Sequence, residues 1–339
     1  YQSYLRVNGY FARSLSPLLQ KNDLVWVHDY HFIPLGRELR NLGCDLPMGF
    51  FLHTPFPPRG ILTALPSHER LVESLFAYDV VGFQTDSDRE AFLDYVEHEI
   101  GGEAQENTAR AFGKSLNVYT LPIGIDVDDM EKMARSEEAQ REAAGLVEIL
   151  RGRNHIIGVD RLDYTKGLVD RFLGFERFLE LHPELRNQVR FTQIAPPSRT
   201  EVEDYVDIRH ELEQIAGRVN GRYSVLDWTP LKYLNQGFPR NVLAGIYRLS
   251  QACLVTPLRD GMNLVAKEFV AAQDPADPGV LILSRFAGAA SQMREALIVN
   301  PYDLQDMADA IERALQMPLE ERQSRHAAMM PNLREQDVY

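Results

Sequence analysis

Thr256-Pro257-Leu258-Arg259-Asp260-Gly261-Met262-Asn263-Leu264-Val265-Ala266-Lys267-Glu268 is the stretch on which the fold turns. Before it runs the apolar stretch Ala252 to Val255, which reads as a buried parallel strand. After it, Leu264 to Ala272 has helical apolar spacing. A strand, a sharp Pro- and Gly-punctuated loop and a helix N-terminus are therefore predicted. The first turn of a helix has unpaired N–H groups and about half a positive charge, so it suits an anion. A phosphate on the amides of Leu264 and Val265 would be bracketed by Asp260 at the helix mouth and Glu268 one turn inside. The competing reading is an N-capping Asp260 and a solvated Glu268.

Outward from this loop the chain alternates strands and helices. In the first half, strands are predicted at Leu24 to Val27, Met48 to Leu52, Val80 to Phe83 and Val118 to Leu121, with Gly101 to Gly113 a polar loop. In the second half they are predicted at Ile156 to Val159, Val189 to Ile194, Ser224 to Leu226, Ala252 to Thr256, Val280 to Leu283 and Leu297 to Val299. Helices fill the gaps, one of them near Tyr233 to Phe238. Such alternation implies right-handed parallel units and doubly wound α/β sheets. Glu131 to Leu150 is rich in Glu, Ala and Arg and reads as one exposed helix. The expected organisation is a first Rossmann-like domain over 1–130, a linker helix over 131–151, a second Rossmann-like domain over 152–318, and a crossover segment over 319–339.

Composition narrows the function. The 339 residues suit two domains, and 45% hydrophobic residues suffice for two cores. A net charge of −13 argues against nucleic acid as a partner, since such contacts are mostly to phosphate. No apolar run approaches the roughly 18 residues of a membrane helix, so no membrane partner is expected. Cys44 and Cys253 stand far apart without a ligand pattern, which points to a reducing, cytoplasmic location. There is no Gly-x-Ser-x-Gly elbow, Walker loop or Gly-x-Gly-x-x-Gly, so hydrolase, nucleotidase and dehydrogenase readings lose ground.

In doubly wound sheets, ligands bind beyond the carboxyl ends of the strands. The residues there are His28, Asp29 and Tyr30, then His53, then Gln84 and Thr85; in the second half, Arg161, Asp163 and Lys166, then Arg199, then Asp260. Their recurrence suggests two sheets facing a shared ligand cleft. Arg161 and Lys166 flank a loop before a helix start, where a guanidinium and an ammonium suit a diphosphate. The alternative pairs Arg161 with Asp160 or Asp163 on the surface. His28 and His31 lack a third ligand at a recognisable spacing, so no metal site is expected. His53 precedes the rigid Pro55-Phe56-Pro57-Pro58 loop and suits either a sugar hydroxyl or a satisfied core position.

These motifs together resemble a family. His28-Asp29-Tyr30-His31, Phe51-Leu52-His53-Thr54-Pro55-Phe56-Pro57, Gly82-Phe83-Gln84-Thr85, and Arg161 to Gly167 occur in its order. So do Gln193-Ile194-Ala195-Pro196-Pro197-Ser198-Arg199, Arg259 to Glu268, and Ser284 to Ala290. The resemblance is to the retaining glycosyltransferases that make trehalose 6-phosphate from a nucleotide-activated glucose and glucose 6-phosphate. It implies a GT-B fold and a UDP-glucose donor. Arg161 and Lys166 would neutralise the donor diphosphate, Phe238 would lie near the uridine, and Glu268 would hold its ribose. The donor segment would run through Asn263, Leu264, Val265, Ala266 and Lys267, with the backbone of Asn263 to Val265 on the phosphates. Asp260 and His53 would hold the transferred glucose, Asp29 would position the acceptor, and Arg199 would bind its 6-phosphate. The implied catalytic set is Arg161, Lys166, Asp260 and His53, without metal or cofactor. The expected assembly is a homo-oligomer.

Family members begin with a further strand, a Gly-rich loop over the donor, and acceptor-pocket Arg, Tyr and Trp residues. Those are expected to precede Tyr1, and the crossover helix is expected to continue past Tyr339. Two other readings stay open: a synthase for another phosphorylated acceptor, of the glucosylglycerol-phosphate type, and a non-catalytic sugar-phosphate sensor on the same scaffold.

Overall fold

The computed structural model describes residues 1–197 and 203–338. They form two compact units, Tyr1–Pro122 and Ile123–Tyr339. The first contains α1 (Gln2–Leu15), β1 (Val25–His28), α2 (Leu35–Asn41), β2 (Met48–Leu52), α3 (Arg59–Leu62), α4 (His68–Leu75), β3 (Val80–Phe83) and α5 (Asp86–His98). It ends in β4 (Glu103–Gln105), β5 (Thr108–Ala111) and β6 (Lys114–Thr120). The sheet order is β1-β2-β3-β6-β5-β4. β1, β2, β3 and β6 are parallel, and β2 is buried along its whole length, which explains its unbroken apolar run.

Gly101 to Gly113 is a correction: it forms the antiparallel strands β4 and β5 rather than a loop. Phe112 and Gly113, at φ 54° and 71°, make the two-residue turn into β6. Two positive φ values are what a hairpin of this length needs. Phe instead of Asn at the first position, on a strand where only Ala109 is buried, hid the signal.

The second unit opens with α6 (Val127–Ala134), α7 (Glu137–Leu150), β7 (Asn154–Val159), α8 (Leu168–Leu181), β8 (Val189–Ile194), α9 (Glu203–Tyr223) and β9 (Leu231–Leu234). It continues with α10 (Arg240–Leu249), β10 (Ala252–Val255), α11 (Leu264–Ala272), β11 (Val280–Ser284), β12 (Leu297–Val299), α12 (Leu304–Gln316) and α13 (Leu319–Glu335). The six strands are all parallel, in the order β12-β11-β10-β7-β8-β9. The order reverses between β7 and β10, and such a switch point opens a crevice at the carboxyl ends of the two strands. Alternate strand residues feed two cores. Ile156, Phe191 and Leu254 pack under α8, α9 and α12, while Ile157, Cys253 and Leu283 pack under α6, α10 and α11. Each such fully buried Ile, Leu or Phe side chain contributes roughly 1.5–3 kcal/mol.

Two expectations change here. The single helix at 131–151 is two, broken where Ser136 caps α7 by accepting from the Ala139 amide. Both belong to the second unit, not to a linker. Gly245 of α10 lies so close that an added Cβ would meet Ala139 O at 2.5 Å, so a charged face does not leave α7 unpacked. The strand expected at Ser224 to Leu226 and the helix at Tyr233 to Phe238 are replaced by β9. Trp228 explains the shift: it is buried and donates from Nε1 to Val189 O at 2.7 Å, anchoring the turn ahead of β9. At the start of the segment expected over 319–339, α13 packs on α11; His326 lies 3.1 Å from Val270 O.

Candidate active site

In the second unit the candidate residues gather at the β7/β10 switch point. After β7, Asp163 caps a 3-10 turn, Tyr164–Lys166, by accepting from the Thr165 amide at 2.9 Å. Gly167 follows at φ 61°, and a Cβ there would meet Thr256 O at 2.3 Å. Only glycine fits that approach between the two loops. Leu258 N then donates to Thr165 O at 2.8 Å, joining the loops through their backbones.

Lys166 Nζ reaches Asp260 Oδ2 at 2.6 Å, with both side chains less than a fifth exposed. The same oxygen accepts from Asn263 Nδ2 at 3.0 Å. Asp260 is fixed by its backbone as well, donating to Phe286 O and accepting from Gly288 N. Asn263, not Asp260, caps α11, accepting from the Ala266 amide at 3.1 Å. Its backbone sits at φ 91°, ψ 99°, outside the regions that L-residues favour. Strain of this kind costs on the order of 1–3 kcal/mol and clusters at functional sites. The amides of Leu264 and Val265 lie in the first turn of α11, where no intrahelical acceptor exists.

Not every expected donor residue points to this place. Arg161 is 64% exposed and only 4.0 Å from Asp163 Oδ2, a loose surface pair. Lys267 is buried and aims elsewhere: Nζ donates to Ile123 O at 2.7 Å, and burial pulls its ammonium down to about 8. Glu268 is not the solvated residue of the competing reading. Burial pushes its carboxyl up, and Arg240, whose Nε stands 3.3 Å from Oε1, pulls it back. Arg240 carried no sequence signal, since it lies beyond Pro239 in a region read as helix and loop. Phe238 packs half-buried against the α10–α11 core. Arg199 lies outside the described residues.

In the first unit the candidates follow β1 and β2. His28 Nδ1 and His53 Nε2 are 3.0 Å apart, with the rings stacked at 30°. One nitrogen must hold the proton and the other accept it, so each ring fixes the other's tautomer. Burial lowers the His53 pKa; Asp29 raises it and His28 lowers it further. Asp29 stands at φ 71°, ψ 162°, a conformation essentially reserved for glycine. Its amide donates to Phe51 O at 2.7 Å, its Oδ1 is buried without a hydrogen-bond partner, and His31 Nδ1 is 3.9 Å from its Oδ2. Tyr30 stacks on His31 at 4.0 Å. Thr85 serves the fold: it caps α5 and donates to Asp88 Oδ2 at 2.6 Å. Asp88 Oδ1 in turn accepts from Phe56 N at 3.0 Å, which pins the Pro-rich loop after His53. Among the described residues, no three His, Cys, Asp or Glu side chains converge on a point.

The unpaired α11 amides and the Lys166 ammonium can hold a phosphate ester, while the His28–His53 pair and Asp29 can hold hydroxyls. Comparison with known proteins agrees with that chemistry. The model of glycosyltransferase family 20 matches residues 1–339. A trehalose-6-phosphate synthase of Enterobacter sp. (strain 638) is 52% identical over 343 residues, covering 100% of this chain and 71% of the relative. A crystal structure of an α,α-trehalose-phosphate synthase (UDP-forming) from Burkholderia xenovorans, in complex with glucose-6-phosphate, is 50% identical with a TM-score of 0.97. It covers 99% of this chain and 75% of its own. An E. coli structure described as trehalose-6-phosphate bound with UDP-2-fluoro glucose is 50% identical with a TM-score of 0.94, covering 99% of this chain and 75% of its own.

Proposed function

Because the chain belongs to glycosyltransferase family 20, we propose that it transfers glucose from UDP-glucose to glucose 6-phosphate. The anomeric configuration is retained, and the products are α,α-trehalose 6-phosphate and UDP. The observation that carries the reading is the Lys166–Asp260 pair beside the open first turn of α11, at the switch point of a wholly parallel sheet. An ammonium has three N–H bonds; one goes to Asp260, which leaves two for phosphate oxygens. Arg161, exposed on the same loop, supplies the second cation.

The charge these groups meet grows as the glycosidic C–O bond breaks, so they stabilise the transition state more than bound donor. The departing phosphate oxygen takes the proton of the acceptor hydroxyl on the face it leaves, and that hydroxyl oxygen bonds to the anomeric carbon. Asp260 holds a glucose hydroxyl, and Glu268, kept in place by Arg240, holds the ribose. Phe238 lies beside the base. Asp29 and His53 bond sugar hydroxyls; the depressed His53 pKa keeps that ring neutral at pH 7, able to donate and accept. Arg199 is assigned the acceptor's phosphate. The homo-oligomer belongs to the same proposal and is read by light scattering.

A product assay crossing UDP-, GDP- and ADP-glucose with glucose 6-phosphate, glycerol 3-phosphate and free glucose tests the reading. Trehalose 6-phosphate formed from UDP-glucose is the expected outcome. Sugar-phosphate binding without turnover would replace the enzyme with a sensor.

A further inference from the structure

We propose that Arg171 is a positioning residue for the donor half of this site, clamping Lys166 and the ends of three strands into the geometry that meets the diphosphate. The inference rests on the glucosyltransfer reading and extends it to a residue that no substrate can touch.

Arg171 is wholly buried in the first turns of α8. Its Nε donates to Thr256 Oγ1 at 2.9 Å, at the end of β10. Its Nη1 donates to Gln193 Oε1 at 2.9 Å on β8, and stands 2.8 Å from Asp160 Oδ2 at the end of β7. Its Nη2 donates to Lys166 O at 3.3 Å. One rigid planar group therefore ties three strands to the carbonyl of the residue whose ammonium bonds Asp260. The arrangement is tightly fitted. Gly158 leaves the room, since a Cβ there would meet Gln193 Oε1 at 2.3 Å and Arg171 Nη1 at 3.0 Å. Thr256, Gln193 and Asp160 are themselves buried.

A guanidinium is suited to this because its donors lie in a fixed fork, so strand ends and loop move as one body. A lysine would offer a single point of attachment. Lys166 is itself a solvent-edge residue on a one-turn 3-10 segment, which has little rigidity of its own. Directional charge stabilisation needs the donor in place before the reaction, and a displacement of about 1 Å is enough to lose on the order of a hundredfold in rate. The alternative is that Arg171 merely neutralises Asp160 for folding.

Three variants of the full chain separate these roles, each read by melting temperature, by the UDP dissociation constant from calorimetry, and by steady-state kinetics. Arg171→Met strands a buried carboxyl and is expected to destabilise the protein, whichever role holds. Asp160→Asn/Arg171→Met removes both charges and is expected to melt close to the wild type. It still binds UDP about tenfold more weakly and turns over about tenfold more slowly, with the KM for glucose 6-phosphate unchanged. Thr256→Val, which keeps the volume and deletes one acceptor, is expected to lower kcat about threefold, and it decides the matter if the double variant does not fold. Recovery of turnover and UDP affinity together with stability in the double variant would overturn the proposal, as would an unaltered kcat in Thr256→Val. A wild type that binds UDP yet forms no product would count against glucosyltransfer alone, leaving UDP affinity to decide the role of Arg171.

Discussion

The candidate groups of the two units are built from opposite materials. In the second unit, charge is organised by charge: Arg171 and Asp160 lie beneath, Lys166 and Asp260 at the rim, and Glu268 against Arg240. In the first unit, the groups are a hydrogen-bonded imidazole pair and a strained Asp29 whose buried oxygen lacks a hydrogen bond. Each half nevertheless carries one non-glycine residue in an unfavourable backbone conformation, Asn263 and Asp29 respectively. The difference fits the chemistry assigned to each. Preorganised charge is most useful where negative charge develops, and neutral donors and acceptors suit hydroxyls, which carry none.

If that division is right, the largest effect falls on Lys166. Lys166→Ala is expected to lower kcat by about 10²–10³, the size seen when a preorganised electrostatic contact is lost, while donor KM changes less. Arg161→Ala is expected to act in the same direction but less strongly, because its exposed side chain must be ordered first. Equal turnover in wild type and the Lys166 variant, in a rapid-quench assay, would break the comparison at its strongest point.

Arg199→Ala is expected to raise the KM for glucose 6-phosphate and to narrow its advantage over free glucose by a few kcal/mol, since free glucose has no anion to lose. An unchanged preference would remove Arg199 from the acceptor-phosphate assignment.

A pH experiment separates the units by size. His155, buried between Ser250 Oγ and Thr192 Oγ1, has its pKa pulled down by burial to about 3. The unfolded chain then binds a proton that the folded one refuses, so stability falls as pH drops below the ordinary value of about 6.5 and keeps falling to about 3. Between pH 6.5 and 5 this one group is expected to remove about 1.6 kcal/mol, the slope rising from half of 1.36 kcal/mol per unit at pH 6.5 toward the full value. Denaturant titrations at both pH values should show the loss shrink in His155→Gln. His53 is shifted the same way but is more open, so a smaller loss is expected from it.

The smallest expected effect is that of chelation. Transfer should survive EDTA, because on the proposed assignment Lys166, Arg161 and the α11 amides would meet the diphosphate without a cation. Metal-reversible loss of activity with stoichiometric bound metal would overturn that and reopen His28 and His31 as ligands.

What the sequence determined by itself was whatever rests on neighbouring residues. Apolar runs marked the buried strands, so Met48–Leu52, Val80–Phe83, Val189–Ile194 and Leu297–Val299 lie where predicted. The helix start at Leu264 and the loops after β7 and β10 were legible for the same reason. Motif order supplied the family. Tertiary structure alone decided the partners: Arg240 for Glu268, Ile123 O for Lys267, His28 for His53, and Arg171 for four groups spread from Asp160 to Thr256. It also made Asn263 rather than Asp260 the cap and built β9 where a helix was expected. The physical reason is range. Period and capping act over a few residues, whereas a buried ion pair forms only after distant strand ends have been brought to one edge of a sheet.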